Sequence, residues 1–229
     1  MAATRERPRA VVSWSSGKDS AYALHVVRQA GDVEVVGALT TVTEGVDRVA
    51  MHGVREALLD RQLGAIGLEA TKVRLPYPCP NGVYEARMAE AVRALRDQGV
   101  TRIVFGDLFL EDIRAYREAH LAGTGLLPAF PLWGQDTREL AERMLSEGLR
   151  AVLTCVDPRA LDGGLAGRPY DRALLDALPP GVDPCGENGE FHTLVTAGPM
   201  LSAPLEVEVG EVVERDGLVF ADVLPRSAG

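Results

Sequence analysis

The chain has 229 residues, a formal net charge of −9 and 46% hydrophobic residues, enough for one large domain, or one domain with an appendage, around a sizeable core. The acidic balance speaks against a general nucleic-acid or anionic-membrane surface, since both partners select basic patches, although it leaves room for a local positive pocket. No apolar run approaches the roughly 18 residues of a membrane span, residues 1–8 lack a signal-peptide apolar core, and Cys79, Cys155 and Cys185 show no Cys-x-x-Cys spacing. A cytoplasmic protein with neither a disulfide framework nor a zinc site is expected.

The first element is a short apolar strand, residues 11–13, that empties into Trp14-Ser15-Ser16-Gly17-Lys18-Asp19-Ser20 and then into a helical run from Ala21. Small residues at a helix N-terminus let backbone N–H groups converge on an anion, which the helix dipole also favours. Lysine occurs only at positions 18 and 72, arginine serving elsewhere, and a compact ammonium suits a phosphate oxygen. The spacing excludes the P-loop, because position 12 is Val and Lys18 is followed by Asp19, and there is no dinucleotide Gly-x-Gly-x-x-Gly pattern. The plainer alternative is an ordinary helix capped by Ser15 or Ser16.

Residues 33–41 read as a buried parallel strand, 52–67 as a helix closed by Gly67, 69–75 as a strand and 83–98 as a helix closed by Gly99. A Pro- and Cys-rich loop, 76–82, lies between the last two. Then follow a strand at 101–106, a helix at 111–121, an extended stretch at 126–133, a helix at 137–147 and a strand at 151–156. This alternation predicts a doubly wound α/β parallel sheet with ligands outside the carboxyl ends of its strands, where the first loop lies. Beyond 157 the pattern fades apart from a short helix at 171–178. Residues 205–223 then alternate apolar and polar and turn at Asp216-Gly217, a hairpin signal. The expected division is a 9–150 nucleotide-binding domain and a smaller 151–225 lobe ending in that hairpin.

A second polar constellation, Asp183-Pro184-Cys185-Gly186-Glu187-Asn188-Gly189-Glu190-Phe191-His192-Thr193, falls in the lobe. Two carboxylates three residues apart among glycines can orient an amine or a metal, or act as acid and base. The same residues also build any solvated surface turn. Cys185 can be read as a nucleophile or as a buried loop thiol. His52, Arg55, Glu111, Asp112 and Arg114 sit where they could face a cleft, whereas His25 and His120 read as ordinary helical residues.

The first loop resembles the Ser-Gly-Gly-x-Asp-Ser signature of the PP-loop ATP pyrophosphatases, a HUP-like fold of the adenine nucleotide alpha hydrolase type, whose members cleave ATP between the α and β phosphates. Ser16 departs from the second glycine and tolerates positive φ less well. Paired with the late motif, with Phe105-Gly106-Asp107 and with Pro131-Leu132-Trp133-Gly134, the chain resembles the diphthine ammonia ligase family over roughly residues 9–201. That family's late motif usually reads Cys-Gly-Glu-Gly-Gly-Glu-Tyr-Glu-Thr, from which Asn188, Phe191 and His192 depart.

The resemblance implies that ATP adenylates a carboxylate, that ammonia attacks to give an amide, and that AMP and pyrophosphate leave. It implies catalytic roles for Lys18, Glu187 and Glu190, and nucleotide contacts from Ser15, Ser16, Gly17, Lys18, Asp19, Ser20, Thr40, Thr41, Gly106 and Asp107. Asp19 would help place Mg²⁺, and Gly186, Asn188, Gly189, His192 and Thr193 would meet the acceptor. Simple β-propensity for Thr40 and Thr41, and a helix N-cap for Asp107, remain the alternatives. The acceptor would be a modified residue of elongation factor 2 or a small molecule, with a homo-oligomer open. Two other readings are a tRNA-modifying PP-loop enzyme and a nucleotide-binding regulatory domain without turnover.

Overall fold

A computed structural model describes residues 7–226 other than 47 and 51. Its central strand, β1 (Arg9–Ser13), pairs in parallel with β2 (Glu34–Thr43). A two-residue strand, β3 (Arg48–Val49), runs antiparallel to the end of β2 at Val42 and Thr43, beyond the last residue of β1. The parallel sheet extends through β4 (Ala70–Leu75) on β2, β5 (Arg102–Val104) on β1, and β6 (Leu127–Ala129) on β5.

Side chains of neighbouring residues in a strand point to opposite faces, so the two faces of this sheet have separate cores. Ala10, Val12, Ala38 and Val104 pack into one cluster with α1 (Lys18–Ala30) and α2 (Glu56–Ile66). Val11, Leu39, Val73 and Ile103 pack into the other with α3 (Asn81–Asp97) and with Leu121 at the end of α4 (Glu111–Leu121). Both α1 and α2 stop at a glycine with φ of 69°, Gly31 and Gly67, the left-handed cap that glycine adopts without steric cost.

The expected doubly wound sheet is therefore present, with local differences. The helix read over 52–67 starts only at Glu56, because residues 52–55 turn back from β3, with Val49 N–H donating to the carbonyl of Val54. The stretch 126–133 pairs over only three residues before turning. The helix expected at 137–147 is α5 (Thr137–Ser146), started by Asp136, whose carboxylate accepts from Glu139 N–H at 2.9 Å.

The strand read at 151–156, β7 (Arg150–Val156), belongs to a second, antiparallel sheet. There it pairs with β8 (Pro169–Tyr170), β9 (Phe191–Ala197) and β11 (Leu218–Pro225). The short helix α6 (Arg172–Ala177) follows β8. The hairpin of β10 (Val207–Arg215) with β11 turns at Asp216 and Gly217, both at positive φ. Leu153, Val156, Leu194 and Val195 of this sheet join the α1 and α2 cluster, so one continuous core runs beneath both sheets. Among the described residues no helix is long and apolar enough to cross a membrane.

Candidate functional site

The turn after β1 is drawn together by its own hydroxyls. Ser15 and Ser20 Oγ lie 3.1 Å apart, Gly17 N–H donates to Ser15 Oγ, and Ser20 Oγ donates to the Gly17 carbonyl. Ser16 takes φ of 69°, so the position does demand the left-handed backbone that serine tolerates less well than glycine. It is held there from outside: its carbonyl accepts from Val195 N–H of β9 at 2.9 Å and from Gln62 Nε2 at 3.1 Å. Gln62 is fully buried, donates also to the Val195 carbonyl, and accepts from Trp14 Nε1. Sequence reading missed it. The available signal was an amide side chain among Leu58, Leu59, Leu63 and Ile66 on the apolar face of α2.

Lys18 does not stand open at the turn. Its ammonium is buried, donates to Asp19 Oδ2 at 2.8 Å and to the Cys185 carbonyl, and lies 5.5 Å from the Phe191 ring centroid and 5.6 Å from that of Tyr170. Burial works to lower its pKa, but the charge of Asp19 and the neighbouring acidic groups outweigh it and keep the ammonium charged. The Lys18 amide donates to Thr193 Oγ1 at 3.1 Å. Gly106 closes the other side: a Cβ there would meet the Asp19 carbonyl carbon at 2.7 Å and Ser20 N at 2.8 Å. Asp107 does not cap α4, which begins after Leu110 without a side-chain cap. Its carboxylate instead accepts from Arg117 Nε at 3.2 Å.

Above the turn, a cavity of about 700 Å³ opens between α3 and α4 at the strand ends. Ser15, Thr40, Thr41, His52 and His192 line the end beside the β1 turn; Leu75, Met88, Val92 and Phe105 line the rest together with charged residues of α3 and α4 that include Glu85, Arg93 and Arg117. His52 and His192 meet with ring centroids 4.5 Å apart and planes tilted by 39°. Burial and the charge of Lys18 hold the His192 imidazole neutral, down to a pKa of about 4. Lys18, Asp19, Gly106, Asp107, Glu187 and Glu190 do not line this cavity.

The 183–193 turn reaches across from the second sheet. Glu187 Oε1 accepts from Leu108 N–H at 2.7 Å, beside Gly106 and Asp107. Burial pushes its carboxyl up to about 7, against that hydrogen bond and with the charges of Asp19 and Asp107 adding to the rise. Glu190 is turned into its own loop, where Oε1 accepts from Asp183 N–H and from Asn188 Nδ2, each at 3.0 Å. Gly186, at φ of 67°, has no room for a Cβ, which would lie 2.8 Å from the Phe191 carbonyl oxygen; Gly189 is open to solvent. Cys185 is buried, its thiol pushed up by burial and donating to the Thr137 carbonyl, which suits a structural thiol rather than a nucleophile. His25 lies 3.3 Å from Glu147, and His120 Nδ1 lies 2.9 Å from the Tyr116 carbonyl.

Buried polar atoms without a partner are rare in folded proteins and call for an explanation such as a bound group. Of the six such side-chain atoms among the described residues, Ser16 Oγ, Asp19 Oδ1, Thr40 Oγ1 and His52 Nδ1 lie in the turn or the cavity wall, while Thr154 Oγ1 is in β7 and Glu190 Oε2 in the late loop. Among the described residues no group of three or more His, Cys, Asp and Glu could hold a metal by itself. One free carboxylate oxygen on Asp19 suits Mg²⁺, which takes one or two carboxylates and completes its shell with water and substrate phosphates.

Comparison with known proteins accounts for both halves of this arrangement. Residues 8–126 match the diphthamide synthase N-terminal domain and residues 136–219 the diphthamide synthase C-terminal domain. A bovine (Bos taurus) protein, diphthine–ammonia ligase, is 31% identical over 103 residues, 43% of this chain and 39% of that protein. The matched stretch thus spans about two fifths of the relative's length. Since the N-terminal match contains the turn and most of the cavity wall, and the C-terminal match contains the 183–193 segment that fastens them, the chain belongs to the diphthamide synthase family.

Proposed function

We propose that this chain is an ATP-dependent, AMP-forming amide ligase that adenylates a carboxylate and passes the acyl group to ammonia. The observation that carries this reading is the set of unpartnered buried polar atoms around the β1 turn, set between a cavity and a carboxylate, Glu187, brought in from the second sheet. The nucleotide enters over Ser15, Thr40 and Thr41, and the N-terminus of α1 faces its phosphates with those turn N–H groups that Ser15, Ser20 and Thr193 do not already take up. Lys18 acts from behind the turn: it supplies positive potential and fastens the late loop. When bound at Asp19, Mg²⁺ would neutralise charge building on the departing pyrophosphate.

Glu187, with its pKa near neutrality, is suited to take a proton as the amide forms. Glu190 supports the turn that delivers it, and Asn188, Gly189 and Thr193 complete that turn. The bovine relative's printed name points to diphthine as the acceptor and ammonia as the nitrogen source. The acceptor here is a carboxylate of that kind, on elongation factor 2 or on a small molecule. We place the work of ATP binding in residues 9–150 and of acceptor binding in 151–225, in a cytoplasmic protein.

The test is direct. Purified protein with ATP, MgCl₂, ¹⁵N-ammonium chloride and candidate carboxylates is expected to form AMP, pyrophosphate and an acceptor carrying one ¹⁵N amide. Accumulation of ADP in the presence of a working acceptor would overturn the adenylation mechanism.

A further inference from the structure

His52 stands in a tight turn after β3, its own N–H donating to the Ala50 carbonyl at 2.8 Å and Gly53 N–H donating to Val49 at 3.1 Å. The ring packs against the β1 turn: its Cε1 is 3.0 Å from where a Cβ on Gly17 would sit, and the Thr193 carbonyl oxygen is 3.3 Å from the same point. Nδ1 is buried and without a hydrogen-bond partner. Burial, the neighbouring His192 and Lys18 all hold the imidazole neutral, and the side chain lines the cavity. The Thr193 backbone works the other way, favouring the protonated ring, but is outweighed.

What fixes this ring comes from the C-terminal hairpin. Asp222 of β11 accepts from Arg48 Nη2 at 3.0 Å and from Arg55 Nε and Nη2 at 2.9 and 2.5 Å. Those two arginines bracket the His52 turn, which Arg48 also closes through the Gly53 carbonyl at 2.7 Å. Phe220, on the same strand, fills the space beside Gly53, 3.1 Å from where its Cβ would lie.

We propose that His52 is a substrate-contacting residue whose Nδ1 accepts a hydrogen bond from an N–H or O–H of the bound substrate. Asp222 is its positioning residue, acting through Arg48 and Arg55. The proposal rests on the cavity being the nucleotide site. The donor is either a ribose hydroxyl or the incoming ammonia, two sources of one chemistry.

Calorimetric titration with MgATP, 2′-deoxy-ATP and 3′-deoxy-ATP reads the first source. Imidazole ¹⁵N NMR of AMP-saturated protein titrated with ammonium chloride reads the second. If a ribose hydroxyl is the donor, His52→Ala and Asp222→Asn each weaken ATP binding by about three- to tenfold. The double variant is then no weaker than either single one, and the loss vanishes for the analogue lacking that hydroxyl. If ammonia is the donor, the His52 Nδ1 signal moves with ammonium in the wild type and not in Asp222→Asn. Arg55→Gln replaces Asp222→Asn if that variant fails to fold. Wild type that binds ATP while neither arm responds to these substitutions overturns the proposal alone; wild type that binds no ATP overturns the nucleotide reading with it.

Discussion

The Val195 amide donates to the Ser16 carbonyl at 2.9 Å, so a strand of the second sheet holds the turn of the first in its left-handed form. An L-residue there costs about 1–2 kcal/mol, and the Ser16 hydroxyl recovers nothing through a hydrogen bond. Ser16→Gly is expected to change stability by less than about 1 kcal/mol, the relieved strain and the looser unfolded chain opposing each other. Ser16→Val, β-branched at a site with no exposure, is expected to cost more than about 1 kcal/mol. Urea denaturation measures both, and a valine variant as stable as the wild type would argue against the left-handed turn.

Gln62 is expected to matter as much as any apolar core residue. Gln62→Leu strands Trp14 Nε1 and removes the donor shared by the Ser16 and Val195 carbonyls. A loss of about 2 kcal/mol or more follows from unpaired buried groups. It is measurable as a lowered thermal midpoint together with a shifted Trp fluorescence maximum; an unchanged midpoint would show the amide to be dispensable.

Lys18 is expected to be a stability residue as well as a functional one. Lys18→Met leaves the Asp19 carboxylate without its counter-charge and the Cys185 carbonyl without a donor, at a cost of about 3 kcal/mol. Adding Asp19→Asn is expected to recover part of that loss, since the stranded charge goes with it. Denaturation of the two single variants and the double variant gives the coupling, and additive effects would mean that the pair does not interact.

These positions mark the limit of what was legible in the sequence. Local chemistry sufficed for the strand, small-residue turn and helical run that open the chain, for the glycine stop of α2 at Gly67, and for the Asp216-Gly217 hairpin, because each is decided by residues adjacent in the chain. Long-range pairing was not legible. Nothing near Lys18 announces a carbonyl 167 residues away, a two-residue strand such as β3 has no period to detect, and β7 carries no mark that places it in the antiparallel sheet. Glu187 and Glu190 look equivalent three residues apart, yet one reaches Leu108 and the other turns into its own loop.

Glu187 carries a pH dependence whose sign can be worked out. Its folded-state pKa of about 7 lies above the ordinary value of 4.5, so between these values the folded chain holds a proton that the unfolded chain has released. Stability therefore falls as pH rises from about 4.5 to 7 and levels off beyond. Glu187→Gln is expected to match the wild type near pH 4 and to be the more stable protein at pH 8 by about 2 kcal/mol. The same variant is expected to bind ATP normally and to lose about 10²–10⁴ in amide formation. Parallel denaturation at the two pH values and single-turnover assays check both halves, and a pH-independent difference in stability would refute the raised pKa.

The fastening of the β1 turn from the second sheet bears on how the protein can be divided. Cutting the chain between α4 and α5 would take from Gln62, the Ser16 carbonyl, the Lys18 amide and the Lys18 ammonium the partners that each has beyond the cut, in Val195, Thr193 and Cys185. The N-terminal piece would keep its signature residues and lose the shape that makes them a signature. The intact chain should accordingly melt in one calorimetric transition rather than two, and neither half should serve as a transplantable nucleotide-binding module.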